Sequence, residues 1–373
     1  MHDIRKILDK ALTSGYLTLE EGIILYRDAM LSDLMATAFY LRKLKVPGSY
    51  VGWQIDRNVN ITNICFSQCK FCNFCRKPND SDTYITTFGE YEQKINELFD
   101  KGGDQLLLQG GMHPDLGIDF YEDLFAKLKK RFPGLKLHAL GPPEVVHLAR
   151  KASLSYKTVL ERLVNAGLDS LPGAGAEILV DRVRKIVSPA KASSDEWLGV
   201  MEVAHKMNLP TSATMMFGHV ETPEERIEHL IKLRDLQALK PEGHYGFISF
   251  IPWPFMDEGT VLAQKKGIRS NISISDYIRL LAISRIMLDN ITNIQASILT
   301  TGESTARISL YSGANDLGSV MIEENVVSAA GSNGIFNADQ LKRIISESGF
   351  TPRLRNQKYE AVETPVPGVP AKD

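Results

Sequence analysis

From about residue 51 onward, short apolar or β-branched runs alternate with stretches whose apolar positions recur at helical spacing. Eight runs read as strands: 54–62 (QIDRNVNIT), 105–109 (QLLLQ), 135–140 (LKLHAL), 168–172 (LDSLP), 211–217 (TSATMMF), 245–251 (YGFISFI), 291–299 (ITNIQASIL) and 316–321 (DLGSVM). Between them, 88–101, 119–132, 155–166, 194–207, 222–237 and 273–289 read as amphipathic helices. This alternation is the pattern of βα units around a parallel sheet, and eight of them predict an α/β fold, a (β/α)8 barrel of the TIM type spanning 51–360.

Ahead of it, Ile4, Ile7, Leu8 and Leu12 share one helical face, with a break at Ser14 and Gly15. Thr18 reads as the cap of a second helix, because Glu21 stands three residues on and Ile24, Leu25, Leu31, Leu34, Met35, Ala38 and Leu41 continue at helical spacing. Residues 1–50 are therefore expected to be a helical extension flanking the barrel. Residues 361–373, Pro-rich from Glu363 onward (ETPVPGVPAKD), are expected to be disordered.

A chain of 373 residues, 43% hydrophobic and 24% charged, is long and apolar enough to bury a large core, which excludes a small stapled module. A net charge of −2 offers no electrostatic footprint for a polyanion, so no nucleic-acid partner is expected. No run approaches the ~18–20 apolar residues of a membrane span, and the first residues lack a signal-peptide pattern. The expectation is a cytoplasmic protein with no membrane partner.

All four cysteines, Cys65, Cys69, Cys72 and Cys75, fall within eleven residues, which excludes long-range disulfides and points to a metal or redox centre. They follow the first strand, and barrel enzymes assemble their sites at the C-terminal ends of strands. The other strand ends carry Gln109-Gly110-Gly111, His138, Gly173-Ala174-Gly175, Gly218-His219 and Pro252-Trp253. The spacing Cys65-x3-Cys69-x2-Cys72 lets three thiolates converge on one four-iron cube and leaves one iron open. A zinc site using Cys75 as fourth thiolate, in a non-catalytic interaction module, is the alternative.

In this loop the chain resembles the radical S-adenosylmethionine superfamily. The segments NVNITNIC (58–65), LLLQGGMHPD (106–115), HALGPPEV (138–145), LPGAGAEILVDRVR (171–184), SATMMFGHVETPEER (212–226) and FISFIPWPF (247–255) are similar to the cyclic dehypoxanthine futalosine synthase family. Aminofutalosine synthases and deazaflavin-forming FO synthases share several of these motifs and are the alternatives. The resemblance implies a 4Fe-4S cluster on Cys65, Cys69 and Cys72, S-adenosylmethionine, an external electron donor, and dehypoxanthine futalosine as the small-molecule substrate. A 5'-deoxyadenosyl radical would take a ribose hydrogen, and the ribose radical would close onto the benzoate ring.

It also implies roles for residues. Phe71 would lie near the adenine. Gln109, Gly110 and Gly111 would present backbone to the cofactor's amino group, or form a plain βα turn. Glu177 would accept from the amino or ribose groups, or only serve a helix N-terminus. Arg182, Arg184 and Lys191 are alternatives for the methionine carboxylate. His138, His219 and Glu144 are candidates for the base that ends the reaction. Trp253 would wall the aromatic substrate, with His113 a further substrate candidate. Arg353 and Arg355, in the closing segment GFTPRLRNQKYE (349–360), read as surface residues.

Overall fold

The computed structural model describes residues 3–13, 15–323, 325 and 336–362. Three helices come first: α1 (Ile4–Leu12), α2 (Leu19–Asp28) and α3 (Leu31–Lys45). Thr18 and Glu21 form a reciprocal capping box at the start of α2. The single helix expected beyond Thr18 is broken at Ala29 and Met30, both of which adopt extended backbone.

The chain then runs through β1 (Tyr50–Asn60), α4 (Phe88–Asp100), β2 (Gln105–Gln109), α5 (Ile118–Arg131), β3 (Lys136–Ala139), α6 (Pro142–Ala152) and α7 (Tyr156–Ala166). Next come α8 (Asp181–Val187), α9 (Ser194–Lys206), β4 (Thr211–Phe217), α10 (Pro223–Ala238), β5 (Phe247–Pro254), α11 (Val261–Lys266) and α12 (Ile274–Met287). It closes with β6 (Asn293–Ile294), α13 (Ile298–Leu310), β7 (Asp316–Met321), α14 (Ala338–Glu347) and β8 (Thr351–Leu354). The first three helices pack outside the ring, α2 on α10 and α3 on α12.

Parallel ladders give the orders β3-β2-β1-β7 and β4-β5-β6. Single parallel bridges join these halves: His138–Ser170 and Leu171–Thr211 link β3 to β4, and Gln295–Asp316 links β6 to β7. The ring is thus a closed barrel, in which the run at 168–172 fills its place through bridges rather than a ladder. The strand expected over 291–299 shrinks to Asn293–Ile294, and its last two residues, Ile298 and Leu299, open α13. α6 escaped the periodicity reading, although Pro142 and Pro143 open it as N-terminal prolines do. β8 was hidden by its proline and arginine; it pairs with Tyr50–Trp53 of β1, on the edge where β2 takes Asp56–Asn60.

Residues 361 and 362, expected to be disordered, pair back: Ala361 bridges Arg355 and the Val362 N–H donates to the Leu354 carbonyl. The Pro-rich segment from Glu363 lies outside the described residues. No helix among the described residues is long and apolar enough to cross a membrane.

Side chains alternate across a strand, and in β1 that rule sends Val51, Trp53, Ile55 and Val59 into the apolar layer between ring and helices. The opposite set, Gln54, Asp56, Asn58 and Asn60, faces inward and lines a cavity. A barrel of this type ordinarily fills its interior with branched apolar side chains. Here β1 gives the interior a polar wall, and the space is an open cavity.

Candidate active site

The cavity measures about 430 Å³ and runs from the loop after β1 to the opposite end of the barrel. From Asn60 to Gln54 alone the strand rises ~20 Å.

At the mouth, Cys65, Cys69, Cys72 and Cys75 all line the cavity. Backbone bonds hold their loop: Cys65 N–H to the Arg76 carbonyl (3.0 Å), Phe66 N–H to Met112 (3.1 Å), Lys70 N–H to Val187 (2.8 Å) and Cys72 N–H to Cys69 (3.1 Å). Gly111 sits so close beneath that a Cβ there would stand 2.1 Å from the Ile64 carbonyl oxygen, and its N–H is spent on the Thr62 carbonyl at 2.7 Å. The glycine is required by this close approach. The Cys75 thiol donates toward Cys65, pulling the Cys65 thiol down to about 6, while burial pushes Cys69 up to about 11 and Cys72 upward.

Glu177 completes the mouth. Its backbone is left-handed (φ 42°), a strained conformation for a glutamate, and it is 4% exposed. One carboxylate oxygen accepts from Lys191 Nζ at 2.7 Å; the other, Oε2, is buried without a partner. Burial works against the charge on Lys191, but Cys69 and Glu177 outweigh it and push its pKa up. The same ammonium lies 5.3 Å from the centre of the Phe71 ring.

This donor set fits a cluster with an amino-acid cofactor beside it. Three thiols share one cavity with an aromatic face, a fixed cation and a buried carboxylate oxygen that needs a donor, such as an amino group or a ribose hydroxyl. A single zinc ion would draw its sulfurs to about 4 Å from one another. Among the described residues no three His, Cys, Asp or Glu side chains converge in that way.

The floor lies at the other end. Arg355 is buried and pairs with Asp316 through two bonds, Nε to Oδ2 at 2.5 Å and Nη2 to Oδ1 at 3.0 Å. It also donates to Gln54 and lies 3.7 Å from the centre of the Tyr359 ring. Ser319 donates to Asp56, as does Gln105 at 3.3 Å, yet burial dominates and pushes the Asp56 carboxyl up to about 6. Gln54 Nε2, Asn58 Oδ1, Asn60 Nδ2 and Gln105 Oε1 are buried without partners. Unmatched polar atoms at this density are costly in a core and mark a surface awaiting a polar ligand.

Of the residues singled out from sequence, Phe71, Gln109, Gly110, Gly111, His138, Glu144, Glu177, Lys191 and Trp253 line the cavity with the cysteines. Glu144 is committed to a helix start, accepting from the Gly141 N–H at 3.0 Å, and burial pushes it up to about 7.

Four expectations are corrected. Arg182 is half exposed, bound to Glu225 at 2.5 Å and to the Val220 carbonyl, outside the cavity. Arg184 is buried outside the cavity lining, with four N–H bonds to the carbonyls of Gly175, Ala176 and Ala192, so it clamps the loop. His219 turns away from the cavity to the Met216 carbonyl (3.0 Å) and Glu221 (2.9 Å). His113 accepts from the Asp115 N–H at 3.0 Å within its own loop.

Arg355, read from sequence as a surface residue, is a fifth correction, and the floor as a whole was missed. The polar alternation Gln54-x-Asp56-x-Asn58-x-Asn60 inside a strand was the pattern that would have exposed it.

Residues 59–233 match the model of the Radical SAM superfamily, and residues 244–368 match the CofH/MqnC C-terminal region. A cyclic dehypoxanthine futalosine synthase of Streptomyces coelicolor is 42% identical over 96% of this chain and 88% of its own. A 5-amino-6-(D-ribitylamino)uracil–L-tyrosine 4-hydroxyphenyl transferase of Methanopyrus kandleri is 34% identical over 96% of this chain and 97% of its own. The fold is similar to that of methylornithine synthase, with a TM-score of 0.69 at 18% identity, covering 94% of this chain and 98% of that one.

Proposed function

The chain belongs to the radical S-adenosylmethionine superfamily, and from that premise we propose that it converts dehypoxanthine futalosine to cyclic dehypoxanthine futalosine in menaquinone biosynthesis. The observation that carries this reading is the continuity of one cavity from the cysteine loop to a polar, closed floor. A long substrate with a polar ribose and an aromatic acid needs such a shape, and the similar Streptomyces enzyme supports that identity.

Cys65, Cys69 and Cys72 would hold the cluster, which together with S-adenosylmethionine and an external electron donor supplies a 5'-deoxyadenosyl radical that takes the ribose 4'-hydrogen. Everything else falls to side chains. Glu177 Oε2 accepts from the cofactor's amino or ribose group, and the bond from Lys191 to the other oxygen holds that carboxylate in place. Phe71 lies against the adenine, and Trp253 stacks on the substrate ring at the rim. Gln54 Nε2 donates to a substrate oxygen, while Asn58 Oδ1 and Gln105 Oε1 accept from its hydroxyls, and together they set its depth. Leu107, Ile248, Ile251 and Leu317 line the same space and keep water from the radicals. Holding the ribose carbon at near-attack distance from the ring is the main demand on the protein.

The test is anaerobic: reconstitute iron and sulfide, reduce, add S-adenosylmethionine and dehypoxanthine futalosine, and follow products by mass. A product lighter by two hydrogens with free 5'-deoxyadenosine is expected. Turnover only with tyrosine and 5-amino-6-(D-ribitylamino)uracil would overturn the substrate and move the chain to the reaction named for the Methanopyrus relative.

A further inference from the structure

Among the described residues His138 is the histidine that lines the cavity, and its hydrogen bonds run through the neighbouring strand segment to the closing segment after β8. His138 Nδ1 lies 2.6 Å from Ser170 Oγ, and Ser170 Oγ donates to Gln357 Oε1 at 2.7 Å. The serine has a single proton and gives it to the amide oxygen. Its remaining lone pairs face Nδ1, so Nδ1 must carry the hydrogen. The Ser170 carbonyl, which can only accept, also favours a proton on the ring. Nε2 has no hydrogen-bond partner among the described residues, and the ring lines the cavity.

We propose that His138 is the proton acceptor that completes cyclisation, and that Ser170 and Gln357 are positioning residues holding it as the Nδ1–H tautomer with Nε2 open to substrate. This rests on the reading above, because it deepens that reaction. When the ribose radical has closed onto the ring, a ring C–H bond breaks and its proton forms a new N–H bond at Nε2. The electron pair of that C–H bond and the unpaired electron make three electrons. Two re-form the ring π bond, and the third goes to a one-electron acceptor of the iron–sulfur class. An imidazolium could not accept. Burial and the Arg355 charge hold His138 down to about 4, which keeps the ring neutral at working pH.

The arrangement joins distant parts of the chain. Ser170 comes from the bridge between β3 and β4, and Gln357 from the segment after β8 that closes the floor. A histidine side chain free in water favours the Nε2–H tautomer, so the reversed form needs this chain of partners.

The test reads the tautomer by 15N NMR on the full chain labelled at histidine, without cofactor or turnover. His138 is assigned by the signal lost in His138→Gln or, should that variant not fold, by the one displaced in Ser170→Ala. A neutral Nδ1–H ring from pH 6 to 8 is expected. Gln357→Glu retains an acceptor and should keep this form, whereas Gln357→Met should shift it toward Nε2–H. In the reconstituted enzyme, His138→Gln should still release 5'-deoxyadenosine but lose cyclised product about 100-fold relative to it. An Nε2–H or charged ring in the wild type, or an unchanged product ratio in His138→Gln, would overturn the proposal. Failure of the wild type to process dehypoxanthine futalosine would instead overturn the substrate, and the NMR arm is read independently of it.

Discussion

The two ends of the cavity are built on different plans. The thiols of the mouth are local: they lie within eleven residues on one loop, held by backbone hydrogen bonds and a close glycine, with Glu177 and Lys191 added from elsewhere. The floor is assembled from β1, β2, β7 and the segment after β8, and its ion pair spans Asp316 to Arg355 inside the barrel. The mouth can therefore lose its chemistry and leave the fold standing. The floor cannot, because the buried Arg355–Asp316 pair and the Ser319–Asp56 bond stand where such a barrel ordinarily has a hydrophobic plug.

The largest expected effect tests the first half of that contrast. Cys69→Ala should fold with an unchanged denaturation midpoint yet bind no stable cluster, lowering cofactor cleavage more than about 1000-fold, whereas Cys75→Ala should keep four irons per chain. Iron and sulfide analysis with circular dichroism decides it. Loss of the cluster in Cys75→Ala would show that the mouth needs a fourth thiol.

Arg355→Met breaks the floor. It strands Asp316, which is fully buried, and should cost about 3–5 kcal/mol of stability. Adding Asp316→Asn should recover much of this. Chemical denaturation of the single and double variants measures both, and equal destabilisation in the two would mean that packing, not the charge, is what matters.

Asp56 gives the floor a pH dependence of its own. Burial lifts its carboxyl from 3.8 unfolded to about 6 folded, so the folded state holds the proton between those values. That contribution is full below about 4 and lost as pH rises through 6. Asp56→Asn, which stays neutral, should gain about 2 kcal/mol on the wild type between pH 4 and pH 7.5. Urea denaturation at the two pH values reads this difference. His138 acts in the opposite sense: its folded value lies below 6.5, so its contribution is lost as pH falls through about 4. The comparison with Asp56→Asn cancels it.

The smallest effect belongs to Arg182. Arg182 is itself half exposed, so Arg182→Ala should change stability by about 1 kcal/mol at most and leave S-adenosylmethionine binding, measured by calorimetry, unaltered.

Sequence alone determined the barrel, because the periods of strand and helix are local properties of the chain, and it determined the thiol triad, because Cys65, Cys69 and Cys72 are neighbours on one loop. It also brought His138 into view at a strand end, and the family resemblance added Glu177 and Lys191. Only the tertiary structure separated Lys191, which reaches the cavity, from Arg182 and Arg184, which spend their donors elsewhere. All three stand close together in sequence, and direction is set by what packs around each. The floor was decided there too: Arg355 and Gln357 meet Asp316 and Ser170 across 39 and 187 residues. Such pairings depend on how the ring closes, and no local pattern encodes them.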